Sequence, residues 1–113
     1  MFENKKITKI ADETATYFLN RDAFKVETLI EKTAEFTTIV VEAYGAVIEE
    51  EELIGLTKTL NQKHREREME EYYWTLAGEG QESEELALVA VMVDEAHIRR
   101  GIGKIRIELK RVN

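Results

Sequence analysis

The sequence predicts a two-layer α/β (α+β) sandwich, a mixed four-stranded sheet with helices packed on one face. Three observations predict it. The chain opens on a helical apolar stripe. An alternating group and then a β-branched group follow it. Near the C-terminus, eight apolar residues run without a break from Leu86 to Val93, just before a last alternating stretch. A length of 113 residues suits one domain, 1–113, with a modest but sufficient core.

The elements follow in order. Residues 3–20 place Ile7, Ile10, Ala11, Thr14, Ala15 and Phe18 at helical spacing, with Asn20 as a left-handed stop. "AFKVETLIEK" alternates, so that Phe24, Val26, Thr28 and Ile30 share one face of a half-buried strand. A polar turn from Lys32 to Glu35 leads into "FTTIVVEAYG", a β-branched strand ending at Gly45, and the two strands form a hairpin. Two helices, 49–61 and 64–77, come next, broken near Asn61. Leu53, Leu56 and Leu60 mark the first, and Met69, Tyr72, Tyr73 and Leu76 the second. The acids Glu49 to Glu52 suit the positive end of a helix dipole. After the acidic loop "GEGQESEE" comes the apolar run. Its period is undecidable, because it is apolar all round. Ser83 as a cap, with Glu84 and Glu85 in a first turn, places it as a buried helix. Asp94 and Glu95 then read as helix-end charges near Arg99 and Arg100. "RGIGK" turns the chain into a strand marked by Ile105, Ile107, Leu109 and Val112, with a slip in register at its end.

Composition excludes several classes. A hydrophobic share of 43% argues against disorder, even with 35% charged residues. A net charge of −7 makes the chain a poor general ligand for nucleic acid or an anionic membrane. The basic residues Lys63, His64, Arg65 and Arg67 are interleaved with acids. There is no cysteine, so disulfides, thiolate catalysis and Cys-based zinc sites are excluded. No stretch has the length of apolar residues that a bilayer span needs, and the N-terminus carries charge where a signal peptide is apolar. A cytoplasmic protein is expected. His64 and His97 have no partner at metal-ligand spacing, and no metal is expected.

The C-terminal residues "LALVAVMVDEAHIRRGIGKIRIELKR" resemble the end of the histidine-kinase-like ATPase fold, and among its members the anti-sigma-factor serine kinases. Leu86, Leu88, Val89, Val93, Asp94 and Glu95 carry the resemblance, with the glycine turn and Ile105 to Arg111. In outline it extends over the helix, two strands and glycine of the front half. The resemblance implies that family's topology and three nucleotide-binding boxes, and each box departs from the pattern here. Glu13 takes the position of the family's glutamate, but the magnesium-binding Asn position falls on Tyr17, a poor ligand for a hard cation. The adenine-binding Asp position falls on Ala43, which has no acceptor, and only Gly45 survives. The phosphate-binding glycines fall on Ser83 and Glu85, where a carboxylate repels a triphosphate. Gly78 and Gly80 lie nearby in the same acidic loop.

These residues predict a non-catalytic protein-interaction or regulatory module on a degenerate histidine-kinase-like fold, with no cofactor. The expected partner is a protein, with a homo-oligomer left open. Its anchor is expected at Tyr72, Tyr73 and Trp74, in the helical segment 49–80, because exposed Tyr and Trp contribute most to interfaces. One alternative is a divergent nucleotide binder or serine kinase, with Glu13 as base and Gly45, Gly78 and Gly80 lining the pocket. Another is an unrelated α+β fold with a small-ligand pocket.

Overall fold

A computed structural model describes residues 2–61, 65–78 and 86–113, with the backbone alone at 67 and 76–78. The element order is α1 (Glu3–Leu19), β1 (Lys25–Lys32), β2 (Phe36–Tyr44), α2 (Glu50–Asn61), α3 (Arg67–Gly78), α4 (Ala87–Met92), β3 (Glu95–Gly101) and β4 (Lys104–Val112). The strands form one sheet in the order β1-β2-β4-β3.

Every neighbouring pair in that sheet is antiparallel, so the expected mixed sheet is corrected. The reason is topological. β2 and β3 run in the same direction after the long helical connection, but β4 returns from β3 and inserts between them. The sheet therefore has no parallel pair among the described residues.

Strand alternation separates two faces. Thr37, Ile39, Val41 and Ala43 of β2 face the helices and are fully buried, as are Ile107 and Leu109 of β4. Phe36, Thr38, Glu42 and Tyr44, with Lys104, Arg106, Glu108 and Lys110, line the open face and are only half-buried. The helices thus form the second layer, and the core lies between the two.

Helix α1 buries Ile7, Ile10, Ala11, Thr14, Tyr17 and Phe18 along one stripe. Asn20 does not close it in a left-handed conformation: its φ is −70°, and Asp22, with φ of 70°, makes the reversal instead. A short Asp side chain tolerates that region.

The run Leu86 to Val93 is a short helix, α4. Leu86 precedes it with φ of 58°, and Val93 leaves it extended. Leu88, Val89, Ala90, Val91 and Met92 are all buried, as an all-round apolar helix requires. The expected cap at Ser83 and first turn at Glu84 and Glu85 lie outside the described residues.

Two expectations about strands change. β1 is an edge strand rather than a half-buried one. Only Val26 is half-buried; Phe24 is 79% exposed and Leu29 62% exposed. Its even residues do face the helical side, but the helical layer covers little of it. In β4 the alternation does not slip. Arg111 takes the inward position after Leu109 and is 1% exposed, whereas Val112 is exposed.

Candidate functional site

The positions that the family resemblance singled out have packing and turn roles. On α1, Glu13 pairs with Lys9 one turn earlier at 3.1 Å. Tyr17 is buried, edge-on to Phe18, and its hydroxyl donates to the Glu52 carboxylate. The Arg21 guanidinium lies 3.7 Å from the centre of the Tyr17 ring and also donates to Glu52. Ala43 is fully buried on β2, opposite Val26 and Ile105. Gly45 has φ of 78° and donates its N–H to Gly103 at 3.0 Å, so it ties the end of β2 to the turn between β3 and β4. A β-carbon there would meet the Phe24 ring at 2.5 Å. Gly78 ends α3. Gly80, Ser83 and Glu85 lie outside the described residues, as do Lys63 and His64.

A dense polar cluster was missed in the sequence. It surrounds Arg111, in an open recess of about 590 Å³ between α1, α3 and the end of β4. Arg111 forks onto Glu3 through Nε and Nη2, each at 2.8 Å, and onto Glu70 at 2.7 Å and 3.3 Å. Its Nη1 also donates to the Met92 carbonyl at 2.7 Å, which satisfies the end of α4. Lys6 donates to Glu70 and Glu71 at 2.8 Å and 2.6 Å. Arg65 reaches Glu70 at 3.1 Å and Asp94 at 3.2 Å. Asp94 also accepts the Val112 N–H at 2.7 Å. It is therefore a latch between β4 and Arg65, not a helix-end charge facing Arg99 and Arg100. Glu95 sits in β3 beside His97, 3.6 Å away.

The electrostatics follow from this geometry. Burial pushes the Glu70 carboxyl up, but hydrogen bonds from Arg111 and Lys6, with the Arg111 and Arg65 charges, outweigh it and hold it at about 2. The hydrogen bond from Arg111 likewise holds Glu3 below its ordinary value, against burial. Burial would lower Lys6, but its bonds to Glu70 and Glu71 raise it. All five Arg111 N–H groups are used, and among the described residues every buried side-chain polar atom has a partner. Such a network binds secondary structure together. The Arg111 guanidinium has no N–H left for an anion.

The signal that could have found it is strict alternation, since Ile105, Ile107 and Leu109 put Arg111 next on the inner face. Glu70, between Met69 and Tyr73 on α3, is its inward carboxylate.

The aromatic cluster is divided by its helix. Trp74 is half-buried, 6.3 Å from the Phe2 ring, with Lys6 Nζ 5.9 Å above it. Tyr73 is half-buried against the core, and Tyr72 is 60% exposed. The side chain of Leu76 lies outside the described residues.

The two edges of the sheet differ. Asn61, at the end of α2, covers the free edge of β3 with hydrogen bonds to both backbone groups of Ala96. Arg100 adds a bond to the Ile48 carbonyl. The outer edge of β1 has no backbone partner among the described residues.

Among the described residues no group of three or more His, Asp or Glu is placed to hold a metal ion, and no helix is long and apolar enough to cross a membrane. Set against models of protein families, curated proteins and solved structures, the chain matches none of them.

Proposed function

We propose that this chain is a non-catalytic protein-interaction module that takes a partner strand along the free edge of β1. The observation that carries this reading is the bare edge itself. β1 is eight residues long, pairs with β2 along its whole length, and exposes Leu29 and Ile30. Long edges of this kind invite strand addition, and proteins that do not use them usually cover or shorten them. On the opposite side of the same sheet, Asn61 does cover β3. The non-catalytic reading is supported by the Arg111 recess, where every guanidinium N–H is already bonded within the chain. Tyr72 remains the part of the aromatic cluster open to a partner.

The histidine-kinase-like resemblance belongs to the same proposal. It is supported by the element order and by helices on one face of a four-stranded sheet. A degenerate member fits Tyr17 locked to Glu52 and Ala43 sealed in the core.

Thr28→Pro tests the edge. The N–H groups that bond to β2 belong to the odd residues of β1, because Thr33 donates to Phe36 and the register continues from there. Thr28 therefore points its N–H outward, and Pro removes it without breaking the sheet. The immobilised wild type is expected to retain a partner from lysate that the folded Thr28→Pro variant loses. Equal retention by both sinks the edge. Mg-ATP at millimolar concentration is expected to leave the melting temperature unchanged, and a clear rise would restore the nucleotide-binding alternative.

A further inference from the structure

The edge of β1 is complementary to itself. Resting on the strand-addition reading above, we infer that its partner is a second copy of this chain, joined by antiparallel pairing of two β1 strands with Thr28 on the two-fold axis. Both sheets then continue into one another.

Three features select this arrangement. The first is backbone direction. Val26, Thr28, Ile30 and Lys32 present N–H and C=O groups to the free edge, because the odd residues are used by β2. Hydrogen-bonded pairing requires even residues of one copy to face even residues of the other. With Thr28 on the axis, Val26 faces Ile30 of the second copy, Thr28 faces Thr28, and Ile30 faces Val26.

The second feature is charge. In this register Lys25 falls opposite Glu31 of the second copy, and symmetry repeats the pair. Both side chains lie on the open face, exposed in the single chain. A slip of two residues one way sets Glu27 against Glu31 at both ends, and a slip the other way sets Glu27 against Glu27. Like charges directly opposite one another destabilise a strand pair.

The third feature is burial. Val26, Thr28 and Ile30 face the helical side, and none of these positions carries a charge that would guard the edge. Ile30 is 38% exposed in the single chain. Cross-strand contact with Val26 of the second copy gives it the apolar cover that the helices do not supply. Such a two-fold contact is isologous and closes on itself, so it ends at a dimer rather than growing into a fibre.

Sedimentation of the full chain, from micromolar concentration to about 1 mM, reads the association constant. A dimer is expected. Lys25→Glu and Glu31→Lys should each weaken it at least about tenfold, because each turns two attractive pairs into two repulsive ones. An equimolar mixture of these two variants should dimerise like the wild type, because every charge pair is then opposite in sign. A mixture that stays monomeric, or a dimer unmoved by either reversal, overturns the register. A wild type that stays monomeric overturns the second copy as partner. The capture experiment with Thr28→Pro then decides the strand-addition reading separately.

Discussion

The side chain of Asn61 and the backbone of Ala96 form a closed pair. Asn61 Oδ1 accepts the Ala96 N–H at 2.9 Å, and Asn61 Nδ2 donates to the Ala96 carbonyl at 2.9 Å. One side chain thereby does what the next strand of a sheet would do, and the edge of β3 ends there. The Nδ2 group also donates to Thr57 in the same helix at 2.8 Å, which fixes the amide orientation. Asn61→Ala leaves two part-buried backbone groups unpaired and should cost about 1–3 kcal/mol. Urea denaturation measures that cost. Hydrogen exchange at Ala96 should accelerate more than elsewhere in β3, and uniform protection would contradict the edge-closing role.

Glu70 and Arg111 should be the least replaceable charged residues of the fold. Both are nearly inaccessible, at 4% and 1% exposure, and each satisfies the other. Glu70→Gln keeps the shape but removes the charge that faces Arg111, Lys6 and Arg65, and should cost about 3 kcal/mol. Arg111→Lys should also destabilise, because an ammonium cannot fork onto Glu3 and Glu70 while reaching the Met92 carbonyl. A Glu70→Gln change below about 1 kcal/mol in urea would remove the network as a determinant of stability.

The same pair sets an acid limit. The folded state holds Glu70 at about 2, against an ordinary value of 4.5. The unfolded chain thus binds more protons between these values, and stability falls as pH falls through them. The contribution is complete above pH 4.5 and lost near pH 2, and its size is about 3 kcal/mol. Glu3, also lowered, adds in the same direction. Wild type should therefore lose stability more steeply than Glu70→Gln over this window, with the two curves converging at its acid end. Parallel curves in urea titrations at stepped pH would contradict the assignment.

What the sequence made legible, and what it hid, follows from the same residues. α1 and α2 could be read because one face of each is buried and the other is wet, so period carries the answer, and β2 because its residues are β-branched. The apolar run could not be read by period; it is the helix α4, which starts only after the left-handed Leu86 and has no acid in its first turn. Arg111 was hidden because a charged residue after an alternating strand reads as the end of burial. Its inward position makes sense only with Glu70 and Glu3, which are distant in sequence. Alternation predicts a half-buried β1 because it reports direction, not cover. Whether a strand lies at the centre or the edge of a sheet is settled by tertiary order. The antiparallel order itself depends on β4 inserting beside β2, which no local pattern encodes.

Gly45 combines two constraints that a substitution can separate. Its φ of 78° disfavours any side chain, and a β-carbon would lie 2.5 Å from Phe24 Cδ2 and 2.8 Å from Cε2. Gly45→Ala should cost about 1–2 kcal/mol for the backbone alone, with a steric addition from the ring. In a Phe24→Ala background only the steric part should disappear. A double-mutant cycle in thermal or urea unfolding reads the difference, and strict additivity would show that the ring moves aside freely.

Tyr72 and Trp74 should separate binding from stability. Trp74 is half-buried, packs 6.3 Å from Phe2 and lies beneath Lys6, which is itself fixed by Glu70 and Glu71. Truncating it removes apolar contact from the junction of α1 and α3, so Trp74→Ala should lower stability by about 2 kcal/mol. Tyr72 is 60% exposed and touches its neighbour Tyr73 edge-on, with ring centres 5.5 Å apart. Tyr72→Ala should therefore shift stability by less than about 0.5 kcal/mol. If this face contributes to partner capture, the loss should appear in Tyr72→Ala at unchanged melting temperature. A Trp74→Ala variant that kept wild-type stability but lost its partner would move the anchor back to the indole.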